Sequence, residues 1–516
     1  MFLHETSSAE VLDLISKLEN NKACGFDHIT EILKSTSYAI APYLAQLFNE
    51  CMKEGVFPDI YKIAQVIPLF KGGDKEDLNS YRPISLLPAL GKLFEKILSS
   101  RLISYFDHFN LLSPHQFGFR AKFSTEHAIL DIYEKLLKNL DDGLSSCAIF
   151  LDLAKAFDSV SHDILLQKLE KYGIRGNVLR LFTSYLDARK QFVKIDKNIS
   201  NLTEIKFGVP QGSILGPLLF LIYINDLPNA SKFFIRLFAD DTFLCAQNND
   251  IWELENEVNL ELQKVYKWLA SNKLTLNIKK SKYMLISKKR LSIDMDMKIN
   301  NETLEKCDSY KYLGVFIDKD LNWKAHVDYL HGKLSKVCGA ISKIRHCVGI
   351  DTLKTIYYAL FNSYLRYGIL IWGSASPTIL NPLKVLSNRV LRIMTFAPLG
   401  RLDTSIIYNH LKILTMEKSY LLETGKFIFK AKNDLLPLAS IATHFTRNVL
   451  PTHTYRTRSR SHNNISVVPL SLMSTFAQKS IQQKSNEFWS TIPLDIRQAE
   501  SYNIFKSFFK RHLLST

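Results

Sequence analysis

Apolar residues recur with a helical period in two segments near the start of the chain. Residues 7–24 begin with Ser7 and have Glu10 three positions later, which is the pattern of a capping box. A second period stops at Gly55, a residue type that often ends helices, and predicts a helix over 38–54. The apolar face of the first predicted helix comprises Val11, Leu14, Ile15 and Leu18.

Short apolar runs in the centre of the chain predict strands among helices. Residues 147–153 form one run, which is interrupted by Asp152. Residues 233–246 form two runs on either side of Asp240 and Asp241, which predicts a hairpin. The other predicted elements are a strand at 66–70, an extended segment at 81–85, a helix through 93–98, a helix capped by Ser161 and ending at Gly173, an apolar helix from Ile214, and a mostly helical region from 320 to about 400.

The acidic residues within these strands are the first indication of chemistry. An Asp between apolar strand neighbours must face a polar cleft or remain unpaired. Adjacent Asp240 and Asp241 repel each other, and holding them near a third carboxylate is costly unless a cation lies there. Two Mg²⁺ ions would meet this need, because hard divalent ions bind oxygen ligands and support phosphoryl transfer. Taken alone, an Asp-Asp pair is usually a solvated turn, and Asp152 is equally consistent with a helix N-cap.

Composition narrows the class of partner. The 516 residues are 46% hydrophobic and 22% charged, which is typical of a globular chain of two to four domains and excludes a disordered or fibrous one. The net charge of +16 favours a polyanionic partner, either nucleic acid or an anionic membrane surface. Residues 401–516 hold 16 basic and 7 acidic residues, so nine of the surplus charges lie there.

The cysteines and the apolar stretches indicate a compartment. Seven cysteines are scattered without CxxC or finger spacing, which argues for a reducing compartment and against disulfides or a zinc module. The first ten residues include Glu5 and Glu10, unlike a signal peptide, and the longest apolar stretch, 214–224, is too short to span a membrane. We therefore expect a soluble intracellular protein without a membrane partner.

Six short motifs follow one another between residues 81 and 314. Taken together and in this order, they resemble the reverse transcriptase of non-LTR retrotransposons, of the jockey-like kind. The similarity continues beyond the last motif and covers nearly the whole chain. The motifs are YRPISL at 81–86, QFGFR at 116–120, FLDLAKAFD at 150–158, GVPQGS at 208–213, FADD at 238–241 and YLG at 312–314.

The resemblance implies an α+β polymerase shaped like a right hand, with fingers, an antiparallel-sheet palm and a helical thumb. The expected parts are an N-terminal helical extension at 1–50, fingers and palm at 51–318, the thumb at 319–400 and a basic C-terminal region at 401–516. The implied reaction adds deoxynucleoside triphosphates to the 3′-hydroxyl of a DNA primer on an RNA template. Two Mg²⁺ ions, or Mn²⁺, are the implied cofactors.

The resemblance also assigns roles to single residues. Asp152, Asp240 and Asp241 match the palm's metal-binding, catalytic triad. Phe157 matches the aromatic residue that blocks a ribose 2′-hydroxyl and so favours deoxynucleotides. Outside the family context, a phenylalanine at this strand–helix turn is more commonly a core residue.

Five further residues match substrate-binding or catalytic positions. Gln211 and Gly212 match the loop that packs against the incoming base and the template, where glycine lets the backbone approach a planar ligand. Arg82 and Arg120 match fingers positions, and Arg120 is the better candidate for a triphosphate contact. Lys280 is a candidate proton donor to the leaving pyrophosphate. The neighbouring Lys279 is an equal candidate for this role, and a solvated surface position for Lys280 is equally open.

Three further regions are candidate nucleic-acid contacts. The 312–315 segment resembles the hairpin that grips the primer, and a plain buried strand is the alternative. Arginines in the tail suggest phosphate contacts without base readout, or a disordered basic patch. The aromatic residues of the expected thumb fit either a nucleic-acid face or a helical core. The residues concerned are Tyr357, Tyr358, Tyr364, Tyr367 and Trp372 in the thumb, and Arg456, Arg458 and Arg460 in the tail.

Other interpretations stay open. A decayed or domesticated polymerase fold would bind nucleic acid through its basic surface without catalysis. A group II intron-type maturase is disfavoured, because the tail has no evident zinc or His-rich nuclease segment. Only about 50 residues precede the expected fingers, so we expect a truncated copy, or part of a longer reading frame, without the endonuclease that full elements encode. The family implies action in the nucleus or cytoplasm.

Overall fold

A computed structural model describes residues 1–19, 25–27, 29–288, 294–398, 403–436 and 480–516. It mixes helices and sheets, as the sequence predicts. The helices are α1 (Ser8–Ser16), α2 (Thr30–Ser35), α3 (Ser37–Glu54), α4 (Ala89–His108), α5 (Thr125–Asp141), α6 (His162–Lys171), α7 (Asn177–Leu186), α8 (Leu215–Ile224), α9 (Ile251–Ser271), α10 (Lys324–Ile344), α11 (Ile350–Ile356), α12 (Ser363–Arg366), α13 (Ile369–Trp372), α14 (Pro377–Thr395), α15 (Thr404–Leu411), α16 (Met416–Lys432), α17 (Ile481–Thr491), α18 (Leu494–Arg497) and α19 (Tyr502–Ser515). The strands are β1 (Ile63–Phe70), β2 (Tyr81–Leu86), β3 (Ser145–Leu151), β4 (Leu153–Ala154), β5 (Lys190–Ile195), β6 (Asn198–Ile199), β7 (Thr203–Glu204), β8 (Phe234–Phe238), β9 (Asp241–Asn248), β10 (Thr275–Leu276), β11 (Lys282–Ile286), β12 (Lys298–Ile299), β13 (Glu302–Thr303), β14 (Glu305–Lys306), β15 (Ser309–Tyr312) and β16 (Val315–Asp318).

A five-stranded sheet in the order β14-β11-β3-β9-β8 lies at the centre of the fold. Its β11, β3, β9 and β8 pair antiparallel, and β14 joins the edge in parallel. Strand β3 is buried throughout. Its alternate side chains enter two cores, Ile149 beside α9 and Phe150 beside α5, because successive strand residues point to opposite faces. The sheet is therefore sandwiched between helices and has little freedom to slip in register.

A second sheet contains β1, β2 and β5, with β6 and β7 beside β5. Strands β1 and β2 pair antiparallel, and β1 pairs with β5 in parallel. The strand predicted at 66–70 and the extended segment around Pro83 are confirmed, although β1 begins three residues earlier, at Ile63. The outer half of β1 is exposed, so this sheet projects from the helices that bury its base.

The predicted N-terminal helices are found with changed ends. Helix α1 is capped by Ser7, whose side chain accepts the backbone N–H of Glu10, but it ends at Ser16 rather than near Gly25. The Glu10 carboxylate turns to Arg101 of α4 at 2.6 Å instead of closing the capping box. Helix α3 ends at Gly55, whose φ of +69° is the left-handed conformation that glycine adopts readily.

The helix predicted after Ser161 is α6. Ser161 occupies its N-cap position, but the Ser161 side chain makes no capping hydrogen bond. The apolar helix predicted from Ile214 is α8, which is buried along its whole length. The 312–315 segment forms a β15–β16 hairpin rather than a single strand.

The region after residue 320 is helical, as predicted. Long helices α10 and α14 pack together, and their core is continuous with one face of the central sheet. Tyr357 and Trp372 lie in this core, so their side chains support the packing interpretation. Tyr358, Tyr364 and Tyr367 keep 39–40% of their surfaces exposed and are available to a ligand.

The end of the chain returns to the helices that cover the sheet. The backbone N–H of Ile481 donates to Glu134 of α5 at 2.7 Å. Helix α19 packs on α16, where Phe429 and Phe505 stack at 4.5 Å. The tail arginines at 456, 458 and 460 lie outside the described residues. Every helix in the described part of the chain is too short or too polar to cross a lipid bilayer.

Candidate active site

The Asp-Asp pair lies in the tight turn between β8 and β9. Phe238 pairs with Asp241 across the turn, which leaves only Ala239 and Asp240 between the strands. Ala239 has φ of +54°, a left-handed conformation that residues with a Cβ rarely adopt. The predicted hairpin is thus confirmed. Its strained turn fixes the backbone positions of Asp240 and Asp241.

Asp152 follows β3 directly and enters the same region. Leu151 pairs with Thr242, so Asp152 is next in register beside Asp241. Two backbone contacts hold Asp152. Its N–H donates to the Ser281 hydroxyl at 3.1 Å, and its C=O accepts the N–H of Asn277 at 2.8 Å. The sheet register therefore brings together three carboxylates that the sequence separates by almost 90 positions.

The electrostatics of the site reflect this crowding. Loss of water around Asp241, followed by repulsion from Asp240 and Asp152, raises the pKa of Asp241 to about 6, although Asp241 is itself an exposed residue. Burial and the Asp152 charge also raise the pKa of Asp240. The Arg82 guanidinium opposes both shifts.

The donor set has the chemistry that Mg²⁺ prefers, because three carboxylates supply hard oxygen ligands and a need for positive charge. Their side chains are not yet arranged around one point. Among the described residues, no three acidic, histidine or cysteine side chains stand ready to hold one ion.

Lys280 lies beside this group. Its Nζ is 4.0 Å from Oδ2 of Asp152, and its side chain is 66% exposed. This contact distinguishes Lys280 from Lys279, a choice that the sequence left open. The exposed ammonium is free to move towards a ligand.

The two predicted arginines lie in different surroundings. Arg82 is exposed on β2, and its charge acts on both Asp240 and Asp241. Arg120 is engaged locally, because its Nη1 donates to the carbonyls of Ser113 at 2.8 Å and Gln116 at 3.2 Å. The guanidinium of Arg120 also stacks on a phenylalanine ring at 4.4 Å. Of these two arginines, Arg82 is therefore the one whose charge acts on the carboxylates.

Phe157 lies on the turn that follows Asp152, and its side chain is half-buried. Its ring stacks on Phe220 of α8, with centroids 4.5 Å apart. It also meets Phe119 at right angles, 6.3 Å away. Phe157 therefore has a packed side and an accessible side.

The loop at 208–213 is fixed between β2 and the Phe157 turn. The Gln211 side-chain amide donates to both carboxylate oxygens of Asp158 at 2.9 Å, and the backbone carbonyl of Gln211 accepts the N–H of Ser85 at 2.7 Å. Gly212 has φ of +124°, and an added Cβ would lie 2.5 Å from the Ser85 carbonyl oxygen. Gln211 thus holds the loop in place, and Gly212 is required by close backbone approach.

Sequence reasoning overlooked two buried polar residues that position the site. Gln116 is fully buried, and its Oε1 accepts N–H groups of Gly118 at 2.8 Å and Ala239 at 3.0 Å. Glu95 of α4 is 1% exposed and accepts the N–H of Ile214 at 2.6 Å, where α8 begins. Burial raises the pKa of Glu95. The motif around Gln116 was a usable signal, whereas Glu95 looks like any helical glutamate.

The part of the chain that contains these residues matches a known protein family. Residues 73–317 match the family described as reverse transcriptase (RNA-dependent DNA polymerase). The chain is 28% identical over 439 residues to a probable RNA-directed DNA polymerase from transposon BS of Drosophila melanogaster, covering 81% of this chain and 48% of the relative. It is 30% identical over 407 residues to the RNA-directed DNA polymerase from mobile element jockey of Drosophila funebris, covering 75% and 44%.

These matches confirm the resemblance to jockey-like reverse transcriptases that the motifs indicate. All six motifs lie within residues 73–317, the range that the family matches. The chain spans less than half the length of these curated relatives.

Proposed function

We propose that this chain, which contains a reverse transcriptase domain of the jockey-like kind over residues 73–317, is an RNA-directed DNA polymerase. It would add deoxynucleotides to the 3′-hydroxyl of a DNA primer on an RNA template. The observation that carries this proposal is the meeting of Asp152 with Asp240 and Asp241 at one end of the central sheet.

Asp152, Asp240 and Asp241 would hold two Mg²⁺ ions, or Mn²⁺, which when bound neutralise phosphate charge and favour loss of the proton from the primer 3′-hydroxyl. Arg82 binds the triphosphate electrostatically, since its charge already acts on Asp240 and Asp241. Lys280 donates a proton to the leaving pyrophosphate.

The neighbouring loop and ring complete the substrate site. Gln211 and Gly212 place a flat backbone surface beside the incoming base. The Phe157 ring lies under the sugar and leaves no room for a 2′-oxygen.

The proposed parts follow the expected division of the chain. Residues 51–318 form fingers and palm, where the central antiparallel strands are the palm and β1, β2 and β5 belong to the fingers. Residues 319–400 form a helical thumb. Residues 1–50 extend the fingers side, and 401–516 supply a basic C-terminal region. Support for this layout comes from the separate sheets and from the helical packing after residue 320.

The partners would be an RNA template, a DNA primer and deoxynucleoside triphosphates. The +16 charge suits phosphate backbones, and the exposed Tyr358, Tyr364 and Tyr367 offer rings for stacking. Action inside the cell, in the nucleus or cytoplasm, belongs to the same proposal.

A second function is nucleic-acid binding without synthesis, by a decayed polymerase fold. One observation favours it: the net charge of +16 suits binding to a phosphate backbone whether or not synthesis follows. Binding alone would be as salt-dependent as in an active enzyme, so only incorporation separates the two functions.

The experiment is primer extension by the purified chain on an annealed RNA template and DNA primer with Mg²⁺. We expect incorporation by the wild type, and its loss in Asp240→Asn with nearly unchanged duplex affinity. The substitution removes a metal ligand but little phosphate-contacting surface. A folded wild type that binds duplex without extending it would support the second function. Undiminished extension by Asp240→Asn would exclude the proposed site.

A further inference from the structure

Phe119 has an unusual combination of backbone strain and exposure. Its φ is +51°, in the left-handed region where a bulky residue is strained. Its side chain is 59% exposed, so burial of apolar surface compensates for only a small part of this cost. Strain without a packing benefit is typical of functional positions.

Both neighbours of Phe119 are fixed by the structure. Gly118 packs so closely on the β8–β9 turn that an added Cβ would overlap the backbone nitrogen of Ala239. On the other side, Arg120 is held by two backbone carbonyls and by the Phe123 ring. The position of Phe119 is therefore set relative to Asp240 and does not follow from a flexible loop.

Phe119 reaches from this fixed loop to Phe157. The two rings are perpendicular, 6.3 Å apart, while Phe220 stacks on Phe157 at 4.5 Å. Phe157 is thus supported by two rings from two different elements. Phe220 belongs to the buried helix α8, whereas Phe119 comes from the open side of the site.

We propose that Phe119 is a positioning residue for sugar selection, which restricts the tilt of the Phe157 ring and thereby strengthens discrimination against ribonucleotides. This rests on the proposed polymerase function. A ring that excludes one oxygen atom must not yield by a fraction of an ångström, and a support from Phe220 alone leaves it free to move towards the open side. Phe119 limits movement in that direction.

The test compares kcat/KM for a deoxynucleoside triphosphate and the matching ribonucleoside triphosphate in primer extension by the full chain. Phe119→Gly is the informative variant, because glycine adopts the backbone conformation without strain and the lost side chain is exposed. We expect the deoxy-to-ribo ratio to fall roughly three- to tenfold, the range for loss of one aromatic pair. Phe157→Ala should lower the ratio further.

Phe396→Gly is the matched control. Phe396 also has a positive φ, +55°, and is 52% exposed, but it lies at the end of α14. Its replacement should leave the ratio unchanged. The Phe119→Gly/Phe157→Ala double variant should discriminate no worse than Phe157→Ala, because Phe119 acts through the Phe157 ring.

Three results would overturn the inference while the polymerase function stands. They are unchanged kcat/KM values for both nucleotides in Phe119→Gly, an equal fall of both values, which would indicate base stacking instead, and full additivity in the double variant. A wild type that incorporates no deoxynucleotide would overturn the proposed function itself, so the two failures are distinguishable.

Discussion

The side-chain oxygen of Gln116 accepts the backbone N–H of Ala239, 3.0 Å away, in the turn that bears Asp240. The same oxygen accepts the N–H of Gly118, and the N–H of Phe117 donates to the Leu237 carbonyl at 2.8 Å. One buried amide thus joins the 116–120 loop to the left-handed turn of the carboxylate hairpin. The loop and the hairpin form a single rigid support for the site.

Replacing Gln116 with Met should lower the free energy of unfolding and weaken the response of primer extension to Mg²⁺. The change leaves two buried N–H groups without an acceptor, which costs about 2 kcal/mol of unfolding free energy. Release of the Ala239 turn should also raise the Mg²⁺ concentration needed for half-maximal extension. Thermal melting and Mg²⁺ titration measure the two effects.

Gln263→Met, which loses only a weak 3.4 Å contact on α9, is the control. An unaltered Mg²⁺ requirement in Gln116→Met would refute the positioning role.

Lys280 and Lys279 form a matched pair for testing proton donation. Both are exposed, but the Lys280 Nζ approaches Asp152 at 4.0 Å. Lys280→Ala should lower kcat roughly 100-fold with a small change in KM, because a general acid acts in the transition state. Lys279→Ala should resemble the wild type. Single-nucleotide incorporation measures both, and equal effects of the two variants would contradict the assignment.

A comparison of Gly212 with Gly72 distinguishes the cost of backbone strain from the cost of close backbone approach. Their φ values are +124° and +116°, but only Gly212 faces another chain segment, with an added Cβ 2.5 Å from the Ser85 carbonyl oxygen. Gly72→Ala should cost roughly 1 kcal/mol through strain. Gly212→Ala should cost more and raise KM for nucleotide, because the 208–213 loop must move. Melting temperatures and KM values check this. Similar behaviour of both variants would show that the loop does not depend on the Ser85 contact.

His326 should make stability depend on pH. Burial, aided by the Lys311 charge, lowers the pKa of His326 to about 4, and its Nδ1 accepts the N–H of Phe316 at 3.3 Å. The unfolded chain has a histidine pKa of about 6.5 and binds the proton first. Stability is therefore full above pH 6.5 and falls towards pH 4, by about 3 kcal/mol for this group.

The His326→Gln variant removes this contribution. His127 has a similar pKa of about 4, so the variant should retain part of the pH dependence. Melting temperatures recorded between pH 7 and pH 5 should fall less steeply in His326→Gln than in the wild type. Equal slopes would indicate that His326 is protonated within the folded protein.

Several local features were predictable from sequence alone. The hairpin at Asp240 and Asp241, the strand before Asp152 and the helix ending at Gly55 were all correct, because each has a local signature in apolar period or turn residue. The end of α1 was misplaced. The chain leaves the helix at Lys17, and the Leu18 carbonyl accepts the Lys34 ammonium of α2 at 2.8 Å, a contact that no local pattern reveals.

The tertiary structure decided which side chains meet. The loop carbonyls engage Arg120, and the charge of Arg82 acts on the carboxylates, while a triphosphate contact for either arginine stays a prediction. The folded loop ties the Gln211 side chain to Asp158, and the place of Gln211 beside the incoming base also stays a prediction. Gln116 gained its role only through a partner 123 positions away.

The order of motifs thus determined which kind of domain this is, because strand and turn chemistry are written in neighbouring residues. The contacts that hold the carboxylates, the Phe157 ring and the loop at their relative positions were decided by strand register and helix packing. Those depend on how distant surfaces fit together, and a single residue's neighbours in sequence do not encode that fit.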